Sequence, residues 1–542
     1  MSEYKEYIVT LKNKDDLDNF YKDMESLGSR GATPHRQVEC CRRRPISRNT
    51  HYYLTPEEAE VLKKDERVLS ISKTIKELGI EIRPCYNQTE NFWDKSSNIG
   101  EDPSYQKNWG LLRCVEGQQR TDWGYDITPN QSGSINVTSS GLNVDVVIVD
   151  GHIDPNHPEY AVNSDGSGGT RVIQYNWYQN NPEVTGGAAG TYVYTIVNNG
   201  DNNHGAHVAG IVSGNTQGWA RNANIYNIQA YTTDPYYLID YIRAFHRHKS
   251  INPKTGIKNP TILNCSWGYS FSLTGYTSKI VSVFYRGSLI SGPFTEAQLS
   301  SYGIGYYYSG TYSCDIEGYY TPTDVDIIDA INEGIIIVAA AGNSNSKIDI
   351  SDGIDYNNYF YGPQIAIENI YYNRGGTPAS TYKVLCVGST SALSNDSKVF
   401  FSCRGPRINL FSPGNYIISS INRLYTPWTH ASDPRNINYY LAKISGTSMA
   451  SPQVCGVLAC ALEQYPSMDQ DKAIEYITHY AKSSQIPDTG GDFTDLTSLM
   501  GAPNKYLYYY KERPDNGVTC PKQNKNIRPT TGLLYPRFKI RR

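Results

Sequence analysis

One short stretch decides how this chain folds: Ile444-Ser445-Gly446-Thr447-Ser448-Met449-Ala450-Ser451-Pro452. Small and apolar residues follow it from Val454 to Leu462, and this run has the length and composition of a buried helix. Ser448 is therefore expected at the helix N-terminus, where backbone N–H groups and the helix dipole favour a nucleophile whose attack creates an oxyanion. A serine before a helix can equally be a simple N-cap, so its partners must decide between these interpretations.

Two other stretches offer the base and the orienting carboxylate that a nucleophilic serine needs. The segment 144–150 has the apolar run of a buried parallel strand and ends on Asp150. The segment 202–214 reads as a loop and then a helix of small residues that begins at His204. An aspartate at the carboxyl end of a strand, with a histidine and a serine at helix starts, predicts that all three meet at one edge of an open α/β sheet.

These residues and their surroundings resemble those of the subtilisin-like serine proteases, the subtilases. The family motifs read Asp-(Ser/Thr)-Gly, His-Gly-Thr-His-Val-Ala-Gly and Gly-Thr-Ser-Met-Ala-Ser-Pro, and the chain order Asp150, His204, Ser448 is the subtilisin order. A fourth segment, 338–344, is similar to the one that supplies the family's oxyanion-hole side chain, here Asn343. The resemblance implies a serine endopeptidase that works through an acyl-enzyme.

Two departures from the family motifs bear on the catalytic groups. Gly151 and His152 follow Asp150 where the family has a small hydroxyl residue and glycine, and His152 is a candidate to replace the lost hydrogen bond to the carboxylate. Ala206 stands in place of the family's threonine, which we interpret as a change in packing. His207 falls near the same helix face as His204 and is an alternative base, but His204 opens the motif and is preferred.

The resemblance also implies how a substrate is held. In the family, the segment corresponding to 262–268 pairs with the substrate in extended form. Main-chain hydrogen bonds then supply affinity, and pockets for the substrate side chains supply specificity. Trp267 stands where the family more often has a smaller aliphatic residue; it either narrows the cleft or belongs to the core. The expected substrate-binding residues are Ser266, Trp267, Gly268, Ala341 and Gly342.

The resemblance divides the chain into parts. It implies an α/β catalytic domain over residues 105–510, with a mostly parallel central sheet flanked by helices. Residues 1–84 resemble, more weakly, a small α+β, ferredoxin-like inhibitor propeptide; an ordinary ferredoxin-like domain without an inhibitory role is the alternative. Residues 85–104 lack periodicity and are predicted to be a linker that contains a self-cleavage site.

Three further segments stand apart from the motifs. Residues 269–323, rich in Tyr, Ser and Gly, form an insertion that we predict to be irregular β structure at the surface. Residues 511–542 form a basic tail, either a solvated one or a docking peptide for a larger assembly. The run Arg42-Arg43-Arg44 is interpreted as a solvated loop rather than a nucleic-acid site.

Composition excludes several function classes. The chain has 542 residues and a formal net charge of −3, so no basic field indicates a nucleic-acid partner. Its apolar runs are far shorter than a membrane span, and its start has no signal-peptide pattern, which predicts synthesis in the cytoplasm and leaves open an intracellular site or a larger particle. The 11 cysteines show no metal-binding pairs and are expected to be mostly reduced. No cofactor or catalytic metal is expected to be required; a structural calcium ion is left open, without ligands that the sequence can assign.

A second hypothesis comes from another class of function. A catalytically silent or permanently inhibited subtilase fold could serve as a structural or assembly component. The Tyr-rich insertion and the basic tail motivate it, and the intact set of Asp150, His204 and Ser448 argues against it.

Overall fold

The fold is described from a computed structural model. It covers residues 4–26, 37–79, 81–84, 109–117, 139–187, 190–195, 203–230, 232–366, 368–392, 395–422, 430–433 and 435–509. The predicted linker 85–104 and the basic tail 511–542 lie outside the described residues.

The elements follow one another in this order. The N-terminal part contains β1 (Lys5–Leu11), α1 (Leu17–Met24), β2 (Cys40–Arg42), β3 (Asn49–Leu54), α2 (Pro56–Leu62), β4 (Val68–Lys73), β5 (Glu81–Pro84) and α3 (Trp109–Glu116). The middle contains β6 (Asp145–Asp150), β7 (Val172–Ile173), α4 (Trp177–Asn180), α5 (His204–Ser213), β8 (Asn224–Gln229), α6 (Leu238–His248), β9 (Thr261–Cys265) and β10 (Trp267–Ser272).

The insertion and the C-terminal part complete the set. The insertion contains β11 (Ser282–Tyr285), β12 (Ser288–Ser291), α7 (Glu296–Ser301), β13 (Tyr306–Tyr308), β14 (Thr311–Ser313), β15 (Asp315–Glu317) and the start of α8 (Thr321–Asn332). The rest contains β16 (Ile336–Ala340), β17 (Tyr359–Tyr361), β18 (Ile370–Tyr371), β19 (Leu385–Thr390), β20 (Leu410–Pro413), β21 (Ile417–Ile421), β22 (His430–Asp433), β23 (Asn436–Ile444), α9 (Thr447–Gln464), α10 (Gln470–Tyr480), β24 (Lys482–Ser483) and β25 (Lys505–Tyr506).

A nine-stranded sheet forms the centre, in the order β24-β25-β20-β19-β16-β9-β6-β8-β7. All neighbouring strands in it are parallel except β24 and β25. β6, Asp-Val-Val-Ile-Val-Asp, is buried along its whole length, as expected for a β-branched strand covered by helices on both faces. The predicted α/β fold with a mostly parallel central sheet is confirmed.

Two helices of small residues approach the sheet closely. α9 packs against α5 and against β16 and β19. Gly205, in the first turn of α5, sits so close to the end of β6 that a Cβ there would lie 2.4 Å from the Gly151 carbonyl oxygen. The glycine after His204 is thus what lets the start of α5 reach the carboxyl end of β6.

The N-terminal part has a sheet and an apolar core of its own. Its elements run strand-helix-strand-strand-helix-strand, and the sheet has the order β2-β3-β1-β4. α2 starts with the predicted signals: the Thr55 hydroxyl accepts from the Glu58 N–H, the Glu58 side chain accepts from the Thr55 N–H, and Pro56 occupies the first turn. Its core, which includes Val9, Phe20 and Tyr52, is separate from that of the central sheet.

This part docks on α6 and α8 through buried charges. The Arg44 guanidinium, 1% exposed, donates to Asp240 at 2.9 Å and to Asp326 at 2.7 Å. Ser47 and Asn49 also donate to the Asp326 carboxylate, at 2.6 and 3.1 Å. The prediction of a solvated loop at Arg42-Arg43-Arg44 is therefore wrong for Arg44, because its counter-charges lie far away in sequence.

The insertion 269–323 is regular rather than irregular. β11 and β12 join β17 and β18 in a four-stranded sheet over a small core that includes Val283, Ile304 and Phe360. β10 lies in the middle of a three-stranded antiparallel sheet, with β15 on one side and β5 on the other. A strand of the N-terminal part thus pairs with the segment predicted to hold substrate.

Candidate active site

The carboxyl ends of β6 and β9 bring the predicted triad to one edge of the sheet. Asp150 ends β6, and His204 begins α5; the His204 Nδ1 lies 2.8 Å from Asp150 Oδ1 and 3.0 Å from Oδ2. The Gly151 N–H also donates to Oδ1, at 2.7 Å. Both side chains are buried, so the carboxylate holds the imidazole in a fixed orientation with Nε2 directed away from it.

Ser448 lies at the second position of α9 and is buried. Its hydroxyl donates to the Ser266 carbonyl at 2.8 Å, while the Ser266 hydroxyl donates back to the Ser448 carbonyl at 2.9 Å. Ser266 directly follows β9, which is the neighbour of β6. The Ser448 hydroxyl, bonded to Ser266, therefore lies at the same sheet edge as Asp150. The N-cap of α9 is Gly446, so Ser448 is not a helix cap.

Asn343 follows β16 at that edge, and its amide oxygen and amide nitrogen differ in their hydrogen bonding. The oxygen accepts from the Thr447 N–H at 3.0 Å and from the Thr447 hydroxyl at 2.9 Å. The amide nitrogen is buried and has no hydrogen-bond partner among the described residues. Thr447 thus fixes the amide so that its N–H₂ group is available for an acceptor that enters the site.

Two histidines that the sequence singled out take other roles. His207 Nε2 lies 3.1 Å from the carbonyl oxygens of Ile417 and Ala442, and burial lowers the pKa of His207 to about 3. It anchors α5 to β21 and β23, which leaves His204 as the candidate base. No hydrogen bond joins His152 to the Asp150 carboxylate among the described residues; the Gly151 N–H accompanies His204 there instead.

The predicted substrate-binding residues line the same edge. Trp267 is 2% exposed and belongs to the main core, and it contacts Tyr269 edge to face. Gly268 pairs with Arg83 of β5, and Trp267 with Pro84. Ala341 donates to the Val387 carbonyl, and the Gly342 N–H donates to the Thr447 hydroxyl at 3.2 Å, beside Asn343.

Sequence reasoning missed Thr447 and Glu317. Thr447 orients Asn343 and Gly342 with one hydroxyl, and its place directly before the serine was the available signal. Glu317 lies in the insertion, where no pattern marked it, yet its carboxyl contacts Ser344 next to Asn343. Within the described ranges, no group of three or more His, Cys, Asp or Glu side chains could hold a metal ion. None of the helices in those ranges is long and apolar enough to cross a membrane.

Comparisons with known proteins point to the same family as the sequence motifs do. A family model described as the subtilase family matches residues 141–502. Alkaline serine exoprotease A of Vibrio alginolyticus is 25% identical over 367 residues, 67% of this chain and 49% of the relative. Alkaline protease 1 of Aspergillus clavatus is 24% identical over 402 residues, 74% of this chain and 67% of the relative. The chain thus spans about half the length of the first relative and two thirds of the second.

Among solved structures, the epidermin leader peptide processing serine protease of Staphylococcus aureus aligns with 94% of this chain and 98% of its own, at 16% identity and a TM-score of 0.49.

Proposed function

This chain belongs to the subtilase family, and from that premise we propose that it is a serine endopeptidase made as a self-processing zymogen. The observation that carries the proposal is the arrangement of side chains at the carboxyl edge of the central sheet. Asp150, Ser266 and Asn343 follow the neighbouring parallel strands β6, β9 and β16. His204 is hydrogen-bonded to Asp150, the Ser448 hydroxyl donates to the Ser266 carbonyl, and the Asn343 amide nitrogen is buried at the same edge.

In the proposed reaction, Ser448 Oγ turns from the Ser266 carbonyl and attacks the scissile carbonyl carbon. His204 Nε2 takes the hydroxyl proton, and Asp150 stabilises the imidazolium. The Ser448 N–H and the Asn343 amide donate to the oxyanion. Collapse breaks the C–N bond, the amine leaves with the proton from His204, and water then hydrolyses the acyl-enzyme by the same steps.

The proposed substrate is a peptide in extended form. It would pair with β10 as β5 does, through main-chain hydrogen bonds beside Gly268 and Trp267. Because β5 already pairs with this edge of β10, the N-terminal part would exclude other peptides until it is cut and leaves.

The register of β5 sharpens the predicted self-cleavage window of 84–105. Trp267 pairs with Pro84, the last residue of β5. A peptide that continued in this register would bring its next residue opposite Ser266, and the residue after Pro84 in the sequence is Cys85. Ser448 lies against that same Ser266, at its carbonyl oxygen. We therefore expect the cut between Cys85 and Tyr86.

The second candidate is a permanently inhibited member of the family with an assembly role. The observation in its favour is the docking of the N-terminal part through the fully buried Arg44. A basic C-terminal tail that binds an assembly partner belongs to this candidate as well.

Two measurements separate the candidates. Purified protein is incubated alone and its N-terminus is sequenced, and a fluorophosphonate probe is added before and after incubation. The endopeptidase predicts a new N-terminus at Tyr86 and probe attached to Ser448 after the cut. An intact Met1 terminus together with an unlabelled Ser448 would favour the inhibited scaffold. Ser448→Ala is the matched control and should show neither cut nor label.

A further inference from the structure

Glu317 is a buried carboxyl that the proposed mechanism does not use. It is 6% exposed; the Ser344 hydroxyl donates to its Oε1 at 2.7 Å, and the Cys403 thiol lies 3.6 Å from the same oxygen. Within the described part of the chain, none of the ion pairs involves Glu317, and the neighbouring charge that acts on it is the like-charged Asp315. Burial raises the pKa of Glu317 to about 7.

The strand register places Glu317 on the face where a substrate residue would meet it. Glu317 pairs with Ser270 across one edge of β10, while β5 pairs across the other edge. Alternate residues of a strand share a face, so Glu317 lies on the face of Ser270 and Gly268. A substrate residue opposite Ser266, two residues before Gly268, lies on this face as well. That residue is the one whose carbonyl Ser448 would attack.

The carboxyl also reaches the backbone beside the reacting groups. A Cβ on Gly342 would lie 2.4 Å from Glu317 Oε1, and a Cβ on Gly376 would lie 3.1 Å from Oε2. Gly342 directly precedes Asn343. Across from them, a Cβ on Gly268 would meet nothing nearer than the Thr377 carbonyl oxygen at 3.5 Å. The carboxyl therefore lies directly against the backbone of Gly342 and Gly376, at positions where any larger residue would collide with it.

From this geometry, and resting on the proposed endopeptidase function, we infer that Glu317 selects peptides with lysine or arginine immediately before the scissile bond. A buried carboxylate without a counter-charge is costly, and a substrate cation supplies the missing partner. The Ser344 hydroxyl and the Cys403 thiol both contact Oε1, so an ammonium or guanidinium can donate to Oε2. A long side chain is needed, because Glu317 belongs to β15, on the opposite side of β10 from the edge where the substrate would pair.

The chain's own residue before the proposed cut, Cys85, carries no such charge. Self-cleavage is intramolecular, so the high effective concentration of the cleavage segment compensates for a poorly matched residue. After the cut, the fragment lacks a cation for Glu317 and is released more readily than one ending in arginine. The preference for a cation therefore applies to the repeated cleavage of other proteins, whereas the single self-processing cut does not depend on it.

The direct test compares peptides that differ only in charge at this position. For processed wild-type protein, kcat/KM for an arginine peptide should exceed that for its uncharged citrulline counterpart by about 10- to 100-fold, the range expected for one hydrogen bond to a charged group. In Glu317→Gln the two values should become nearly equal. Glu296→Gln, an exposed acid of the same insertion, is the matched control and should keep the preference.

The outcomes separate this inference from the proposed function. If the probe does not label Ser448 and neither peptide is cut, the endopeptidase proposal fails. If Ser448 is labelled but wild-type protein cuts both peptides equally, or Glu317→Gln keeps the arginine preference, only the role of Glu317 is overturned. Wild-type protein alone suffices for the first comparison should Glu317→Gln not fold.

Two further readouts distinguish a specificity residue from a structural one. The arginine preference of the wild type should grow as the pH rises through 7, because Glu317 then ionises between Asp315 and Cys403; it should stay flat in Glu317→Gln. In the full chain, Cys85→Arg should speed self-cleavage in the wild type but not in Glu317→Gln. Equal acceleration in both backgrounds would contradict the proposed contact.

Discussion

Replacing Arg44 with methionine should loosen the N-terminal part from the rest of the protein far more than any exposed charge does. Arg44 is 1% exposed, and it is paired with Asp240 and Asp326, which are also buried. Methionine keeps much of the side-chain volume but leaves the buried Asp326 carboxylate without its cation and Asp240 with Arg243 alone, at 3.6 Å. Removing one partner of a buried ion pair costs about 3–5 kcal/mol, which corresponds to about 150- to 5,000-fold weaker docking.

The assay follows the release of the N-terminal fragment after self-cleavage. Processed protein is diluted, and the onset of activity against a fluorogenic peptide reports dissociation of the fragment. Arg44→Met should become active far sooner than the wild type. Arg43→Met is the matched control, because Arg43 pairs with Glu25 where both side chains are substantially exposed, and such a pair contributes about 0–1 kcal/mol.

A second change tests the stated cause. Asp326→Asn in the Arg44→Met background should recover part of the docking, because it removes the carboxylate that has lost its cation. The reasoning is refuted if Arg44→Met and Arg43→Met release the fragment at the same rate. It is also refuted if Asp326→Asn weakens docking equally with and without Arg44.

The remaining predictions concern catalysis and stability. Ser448→Ala should lower turnover by roughly 10⁶-fold and Asn343→Ala by about 10²- to 10³-fold in peptide hydrolysis; both magnitudes are those of subtilisin itself, a family relative. Thr447→Val should lower kcat with little change in KM, because Asn343 loses a donor that orients its amide. Burial raises the pKa of Glu317 from 4.5 and of Asp324 from 3.8, both to about 7, so the stability that these groups contribute is present below their unfolded pKa values and is lost as the pH rises through 7. The Tm of the Ser448→Ala chain should therefore fall as the pH rises from about 4 to 7, with little further loss from these groups above pH 7, and it should fall less with Asp324→Asn; an unchanged slope in that variant would contradict the assignment.

The sequence by itself determined the frame of this protein and its reacting groups. Apolar strands end on Asp150 and before Asn343, and helices of small residues begin at His204 and next to Ser448, because such patterns are local along the chain. Parallel strands carry their carboxyl ends to one edge, so these side chains had to come together once the α/β fold was recognised.

Only the tertiary structure decided which of the remaining polar groups matter. Arg44 was expected in solvent but is buried against Asp240 and Asp326. Glu317 belongs to an insertion that was expected to be irregular, and no sequence pattern indicated its contact with Ser344. His207 is held by backbone carbonyls of two distant strands, which no local pattern shows. The physical reason is common to all three. Burial and counter-charge are set by residues far apart in sequence, so the pattern along one segment does not predict what will pack against it.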